Sequence, residues 1–418
     1  MAARTMLSDM LQTLFERRDA RRSALDGRSI KDMCLALLDV EGEVSGVALA
    51  QAILDRYAGM GAAEKLAFFQ FLNAELEIDP AELQDAVAAF QASSDASDYR
   101  QIGRAAEPRR QELLRRLNQP QGATQALVNM RADLIAAKRA DPDLARTDQD
   151  FQHLLRSWFN RGFLVLRQIS WDTPASILEK IVAYEAVHAI QDWEDLRRRL
   201  YPEDRRCFAF FHPSMPEEPL IFVEVALTLG VPNSIQHVLS ETRDQRDARD
   251  TKVAVFYSIS NCQAGLAGVS FGSMLIKQVV AELSRELPQL ETFVTLSPIP
   301  RMVRWMDTMG EDAPEAASSV QAAATRYLLD AKDAKGRPFD PVARFHLGNG
   351  AQIYAVHGDA DLSENGRAQS YGAMVNYQYD LSLIEQNHEG FVQDQEICLA
   401  PRFRTSLGSG FKKKRATA

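Results

Sequence analysis

The chain has 418 residues, of which 46% are hydrophobic and 25% are charged, and its formal net charge is −9. That length suggests two or three domains, and the composition is that of an ordinary globular protein, which excludes the disordered and fibrous classes. The acidic balance argues against nucleic acid as a partner, because nucleic-acid binding needs a basic face. The four cysteines form no CxxC pair, which excludes a disulfide framework and a zinc module of thiolates.

Targeting signals are not evident in the sequence. No apolar run approaches the roughly 20 residues that a membrane-spanning helix needs, and the first residues carry acids and lack the apolar core of a signal peptide. We therefore expect no membrane partner and a cytoplasmic location.

The first part of the chain, residues 1–159, is predicted to be helical throughout. Phe68, Phe69 and Leu72 recur at helical spacing, and Asp79 followed by Pro80 is typical of a helix start. Alternating strand-like segments are missing from this region. The pattern predicts an α-helical bundle, a kind of domain that often provides oligomer contacts. Further helices are predicted over 108–117, 124–140 and 147–159.

From about residue 160 the pattern changes to short strands that alternate with helices, which indicates an α/β or α+β domain over 160–418. Helices are predicted over 174–186 and 271–287. Strands are predicted over 163–169, 207–212, 220–228, 252–260 and 292–296.

The most informative segment is a glycine-bearing loop between the strand over 252–260 and the helix that follows it. Gly265, Gly268 and Gly272 permit a close backbone approach, and the helix start directs N–H groups and a positive dipole end toward the loop. The spacing matches neither the Walker nor the Rossmann pattern. A tight turn explains the loop as well as a phosphate site does, but the next strand ends near Ser297, where α/β ligand sites form.

Several ordered segments of the sequence resemble the malonyl-CoA decarboxylase family, and the resemblance spans nearly all of the chain after residue 125. The matching segments are Phe256-Tyr257-Ser258-Ile259-Ser260, Gln263-x-Gly265-Leu266-x-Gly268-Val269, Leu275-Ile276-Lys277, Leu296-Ser297-Pro298-Ile299-Pro300, Phe345-His346-Leu347-x-Asn349-Gly350-Ala351 and Asn376-Tyr377-x-Tyr379.

The resemblance implies an α+β protein: a helical oligomerisation domain over 1–159, then a mixed α/β catalytic domain over 160–418 like the Gcn5-related N-acetyltransferases. It implies malonyl-CoA and acetyl-CoA as ligands and self-association as a dimer or tetramer. The catalytic serine of the family falls on Ser297 and the catalytic histidine on His346. The stretch that binds coenzyme A falls on Ala267, Gly268, Val269, Ser270, Phe271, Gly272 and Ser273.

The implied reaction releases carbon dioxide from a malonyl thioester and leaves a thioester enolate, which must then be protonated at carbon. The thioester accepts the charge itself, so we expect no metal and no organic cofactor. His346 is the expected proton donor, because imidazole titrates near neutral pH. Ser297 is expected to orient the malonyl carboxylate through Oγ, Tyr379 is a weaker candidate for a substrate-facing hydroxyl, and backbone N–H groups of 252–260 are expected to stabilise the enolate oxygen.

Three other functions are alternatives to this one. A thioesterase is disfavoured, because Ser297 lies in no GxSxG elbow and Pro298 lacks the N–H that such an elbow uses. An acyl-CoA-dependent acyltransferase on the same fold would need a channel for an acceptor and a base aimed at it. A non-catalytic acyl-CoA sensor would bind the thioester without turnover.

Overall fold

The computed structural model describes residues 27–269 and 274–407. Contacts divide the chain into two compact units. The first contains the described residues up to Phe163, together with the short segments 212–216 and the loop that begins at Gln263. The second contains the remaining described residues.

The first unit is built from helices, and one of them starts with the predicted capping residues. Asp79 accepts hydrogen bonds from the N–H groups of Ala81 (2.8 Å) and Glu82 (3.3 Å), and Pro80 occupies the first turn, as predicted. Phe69 and Leu72 are completely buried in the core of this unit. The helices are α1 (Ile30–Asp39), α2 (Glu43–Ala58), α3 (Ala62–Glu75), α4 (Pro80–Ser93), α5 (Ala96–Ala105), α6 (Arg109–Leu117), α7 (Ala123–Ala137) and α8 (Ala145–Trp158).

Within the first unit, the glycine-bearing loop is held by α7 and α8. The buried Arg131 of α7 pairs with Asp148 (2.9 Å) and donates from Nη1 to the Gly265 carbonyl oxygen (2.7 Å). Gly265 lies so close to α7 that a Cβ there would stand 1.8 Å from the Val128 carbonyl oxygen. The requirement for glycine at 265 therefore comes from close packing of two backbones.

The second unit is a mixed sheet with helices on its faces. Its strands are β1 (Val165–Ile169), β2 (Arg205–His212), β3 (Met215–Thr228), β4 (Val253–Asn261), β5 (Thr292–Thr295), β6 (Ser297–Pro298), β7 (Gln352–His357) and β8 (Met374–Gln378). Its helices are α9 (Ala175–Tyr184), α10 (Trp193–Leu200), α11 (Ile235–Leu239), α12 (Met274–Glu286), α13 (Met302–Met309), α14 (Ala317–Asp330), α15 (Pro341–Gly348), α16 (Glu364–Ser370), α17 (Ile384–Asp394) and α18 (Pro401–Ser406).

The strand order is β1-β2-β3-β4-β5-β8-β6, and β7 pairs with β8. β4 and β5 are parallel, whereas β3–β4, β5–β8, β6–β8 and β7–β8 are antiparallel. The parallel pairing ends at Phe256 and Thr295, so the rest of β4 continues without that neighbour. Strand alternation then separates two buried faces: Phe256 and Tyr377 lie in one core cluster, and Val255 and Val294 lie in the other.

The expected fold class, a helical region followed by a mixed α/β domain, is confirmed. Short strand and helix elements near the end of the chain, including β7 and α15, were not predicted from the sequence. The pairing register of β7 shifts between Ile353 and Ala355, which interrupts a period of two, and α15 is only 8 residues long, which is too short for a clear helical period. Among the described residues, no helix combines the length and apolar character needed to cross a membrane.

Gly265→Ala should destabilise the first unit by about 1–3 kcal/mol, because the added Cβ must displace the backbone of α7. Gly103 is the matched control, since it lies inside α5 and a Cβ there meets nothing within 4 Å. Gly103→Ala should leave stability unchanged or raise it by up to about 1 kcal/mol. Thermal and urea denaturation measure both effects, and equal midpoints for the two variants would contradict the close packing.

Candidate active site

The predicted catalytic serine lies where the chain passes from strand β5 to strand β6. β5 ends at Thr295, and Ser297 opens the two-residue strand β6, where it pairs with Val375 of β8. Thr295 and Ser297 are two residues apart in extended chain, so their side chains fall on the same side of the sheet. The Ser297 hydroxyl donates to Thr295 Oγ1 (2.8 Å), and the same Oγ1 accepts the N–H of Tyr377 (3.1 Å).

The predicted catalytic histidine comes from the short helix α15. Asp340 caps this helix by accepting the N–H groups of Val342 and Ala343 (both 2.9 Å), and Pro341 fits its first turn. Tyr327 donates to the same carboxylate (3.2 Å). His346 is in the last turn of α15, so this buried cap helps to set the position of the imidazole.

The structure brings His346 and Ser297 together. The distance from His346 Nε2 to Ser297 Oγ is 3.1 Å, and the distance from His346 Nδ1 to the Tyr379 hydroxyl is 2.8 Å. The imidazole also stacks on the ring of Tyr377, with centroids 4.6 Å apart. The side chains are almost completely enclosed, with Ser297 5%, His346 3% and Tyr379 1% exposed.

These contacts are consistent with one assignment of which group donates and which accepts each hydrogen bond. Because Ser297 donates to Thr295, its oxygen accepts the proton carried on Nε2 of His346. Nδ1 is then the acceptor, and the Tyr379 hydroxyl donates to it. Burial raises the pKa of Tyr379 well above its ordinary value, so this hydroxyl keeps the proton that it donates.

Burial also corrects one expectation about His346. The sequence led us to expect an imidazole that titrates near neutral pH. Enclosure away from water lowers the pKa of His346 to about 3, because desolvation penalises the charged form. The ring is therefore neutral at pH 7, and it acts as an N–H donor without a positive charge.

The candidate coenzyme A stretch is described only in part. Ala267, Gly268 and Val269 lie in the described loop, whereas Ser270, Phe271, Gly272 and Ser273 lie outside the described residues. Gly268 has a positive φ of 75°, and a Cβ there would stand 2.5 Å from Gln152 Nε2. Its carbonyl oxygen accepts from Arg156 (3.3 Å).

The backbone N–H groups of this loop are partly committed to the loop itself. The N–H groups of Leu266, Ala267 and Val269 donate to carbonyl oxygens of Gln263, Ala264 and Leu266 at 2.9–3.1 Å. An anion cradle therefore cannot use these three donors without breaking the turn. Gly268 is the described position whose φ agrees with the predicted loop geometry.

Ser297 and His346 are called the dyad below. Sequence reasoning missed two residues that contact it, Thr295 and Tyr377. Both stand two positions before a predicted site residue in extended chain, Thr295 before Ser297 and Tyr377 before Tyr379. The period of two along a strand was the signal that could have found them. In contrast, Asn376 turns to other partners: it donates to the Thr295 carbonyl oxygen (2.7 Å) and faces His357 (2.6 Å).

This arrangement can move a proton. Within residues 27–269 and 274–407, no group of three or more His, Cys, Asp or Glu side chains is arranged to hold one. A buried hydroxyl and a neutral imidazole, linked by hydrogen bonds, suit acid–base chemistry on a substrate that is shielded from water.

Comparisons with known proteins show which family the chain resembles. Residues 76–159 match the malonyl-CoA decarboxylase N-terminal domain, and residues 162–316 and 309–417 match the malonyl-CoA decarboxylase C-terminal domain. The mitochondrial malonyl-CoA decarboxylase of Anser anser anser is 34% identical over 342 residues, which cover 69% of this chain and 68% of that protein.

Solved structures extend the comparison to most of the fold. Malonyl-CoA decarboxylase from Rhodopseudomonas palustris has a TM-score of 0.84 and 48% identity, covering 90% of this chain and 98% of that one. Malonyl-CoA decarboxylase from Agrobacterium vitis also has a TM-score of 0.84, with 45% identity over 91% and 99% of the two chains. The fold and the comparisons define a carboxy-lyase in which a helical region precedes a mixed α/β domain. The chain belongs to the malonyl-CoA decarboxylase family.

Protein stability should decrease as the pH falls below the ordinary pKa of histidine. The pKa of His346 is about 3 in the folded chain and 6.5 in a model peptide, so between these values the unfolded chain binds a proton that the folded chain does not. From pH 7 to pH 5 this residue should cost about 2 kcal/mol. His346→Gln should reduce the acid shift of the thermal midpoint, whereas His153→Gln, at an exposed position of α8, should not. An identical acid shift in both variants would contradict a neutral, buried His346.

Proposed function

We propose that the chain converts malonyl-CoA to acetyl-CoA and carbon dioxide through Ser297 and His346. The bond between the malonyl α-carbon and the carboxylate breaks, carbon dioxide leaves, and the electron pair forms the thioester enolate. A proton from His346 Nε2 then bonds to the α-carbon. The net reaction consumes one proton, which solvent returns to the site.

The observation that carries this proposal is the 3.1 Å contact between Ser297 Oγ and His346 Nε2 in an enclosed setting. A carboxylate that enters this site meets the Ser297 hydroxyl, which turns from Thr295 to the substrate and orients the carboxylate. The low-polarity surroundings favour loss of charged carboxylate as neutral carbon dioxide. Nε2 then stands beside the carbon that becomes basic.

A neutral imidazole is a competent donor here because the carbon of a thioester enolate is a much stronger base than the imidazolate left on the ring, which solvent then reprotonates. The neutral ring avoids the cost of burying an imidazolium ion, because desolvation penalises the charged form of His346. Tyr379 supports the transfer from the other side of the ring. As Nε2 gives up its proton, the Tyr379 hydroxyl keeps its own proton and stabilises the ring through the hydrogen bond to Nδ1.

Other parts of the proposal rest on separate observations. Ala267 to Ser273 are proposed to bind coenzyme A, supported by the positive φ of Gly268. β4 beyond Phe256, where parallel pairing ends, is proposed to offer N–H groups to the enolate oxygen. The proposed location is the cytoplasm.

Self-association through the helical region is also proposed, as a dimer or tetramer. α4 and α5 bury few side chains: Ala86 is the buried residue of α4, and Ala105 that of α5. Tyr99 and Val87 remain 68% and 37% exposed on this pair of helices. An uncovered apolar surface of this kind favours contact with a second copy.

The purified protein incubated with malonyl-CoA alone should produce acetyl-CoA, followed by mass. Ser297→Ala and His346→Ala should each lower turnover by at least about 100-fold, because each removes a group that contacts the reacting atoms. His153→Ala is the control at an exposed helical position and should keep full activity. Near-normal turnover in either site variant would overturn the proposed roles. Release of carbon dioxide only when an acceptor is added would instead support an acyltransferase.

Tyr379→Phe should lower kcat by roughly 10–100-fold and leave KM nearly unchanged, because it removes the donor to His346 Nδ1 but keeps the ring. Tyr354→Phe is the control, since its hydroxyl accepts from Arg402 (3.2 Å) away from the dyad. Steady-state kinetics on malonyl-CoA give both constants. A loss confined to KM would place Tyr379 in substrate binding instead.

A further inference from the structure

A separate cavity of about 680 Å³ lies within the second unit, beside the segment that follows α9 and the segment that precedes α16. Its lining includes Ile235 and Leu239 of α11, and α11 packs on the sheet face that carries Val255, Tyr257 and Val294. The dyad is on the other face, where His346 stacks on Tyr377. The cavity is therefore distinct from the Ser297–His346 site.

The charge of this cavity is set by two carboxylates and one arginine: Glu185, Asp361 and Arg199. Arg199 is 4% exposed, and its five N–H protons are all used. Nε and Nη2 donate to Asp195 (3.2 and 3.1 Å), Nη1 donates to Glu224 (3.2 Å) and the His188 carbonyl (2.7 Å), and Nη2 also donates to the Ala189 carbonyl (3.1 Å). The arginine thus has no remaining donor for an anionic ligand.

Glu185 is also satisfied by its own surroundings. Its carboxylate accepts the hydroxyls of Ser258 (2.7 Å) and Ser260 (3.2 Å) and the N–H groups of Val187 (2.9 Å) and His188 (2.8 Å). It therefore contributes negative charge to the cavity while its lone pairs are largely occupied. Glu185 therefore forms part of the cavity wall and is not a free acceptor for a ligand.

Asp361 keeps an acceptor without a donor, and His188 has a ring nitrogen without a partner, among the described residues. Asp361 is 5% exposed, and one of its oxygens accepts the Ser363 N–H (3.0 Å), while the other receives no hydrogen bond from the described residues. His188 lines the same cavity, and within the described residues its buried Nε2 has no hydrogen-bond partner. A carboxylate oxygen only accepts hydrogen bonds, so the free oxygen of Asp361 favours a ligand that brings N–H donors.

The remaining walls are apolar and include Val187, Ile235, Leu239 and Leu362. Arg199 is already paired with Asp195, so Glu185 and Asp361 leave an excess of negative charge and a positive charge is favoured in this space. The volume falls in the range of small-molecule pockets. We propose that this cavity binds a small protonated alkylamine, with its ammonium group on Asp361 and its alkyl chain along Ile235 and Leu239.

Isothermal titration of the full chain with pentylammonium tests this proposal, with 1-pentanol and pentanoate as neutral and anionic probes of equal chain length. Pentylammonium should bind, and the alcohol and the carboxylate should bind at least about tenfold more weakly, because each lacks the charged donor. No binding of the amine, or equal binding of the alcohol, would overturn the proposal. Preferred binding of pentanoate would show that the cavity takes anions instead.

Variants locate the binding site of the amine. Asp361→Asn should weaken amine binding at least about tenfold, whereas Asp359→Asn, at an exposed position in the same loop with φ of 52°, should leave it unchanged. Leu362→Trp is a second variant that fills the space from a position 46% exposed, and it should abolish binding without changing any charge. Amine binding that survives both cavity variants would overturn the assignment.

Ser297→Ala separates this inference from the proposed function. The variant should keep the amine affinity of the unmodified chain, because Ser297 is on the other sheet face. A loss of amine binding in Ser297→Ala would show that the amine occupies the dyad site, and it would overturn a separate cavity site whatever the outcome for decarboxylation.

Discussion

The enclosure of His346 is the constraint on which the rest of the candidate site depends. Without water around the ring, the imidazole stays neutral, and its two nitrogens must find fixed partners in the protein. Ser297 and Tyr379 are those partners, one on each nitrogen. These contacts determine which nitrogen of His346 carries the proton. They therefore also determine which proton transfer the ring can perform.

The scaffold around this ring explains how such a precise arrangement is maintained. A sheet supplies Ser297 and Tyr379 from neighbouring extended segments, and a short capped helix supplies His346. Asp340 is itself buried, which raises its pKa to about 6, and it is kept in place by Tyr327 and the first turn of α15. Rigid elements position reacting groups more accurately than surface loops do.

The opposite face of the same sheet has a different electrostatic character. There, burial raises the pKa of Glu224 to about 8, and Arg199 connects that side chain to Asp195. The buried ion pair of Arg199 and Asp195 costs desolvation energy and is poor evidence for stability alone. One sheet therefore carries a proton-transfer dyad on one face and an acidic polar cluster beside a cavity on the other.

The sequence alone determined the order of the two regions, the helix start at Asp79, most strands up to residue 296, and the family that Ser297 and His346 indicate. These features follow from local periodicity, capping chemistry and ordered motifs, which a linear chain displays directly. Tertiary structure decided the rest. The pKa of His346, the contacts from Thr295 and Tyr377, the partial commitment of the loop N–H groups and the saturation of Arg199 all depend on neighbours that are distant along the chain. Burial and hydrogen-bond geometry come from packing, which the spacing of residues along the chain does not reveal.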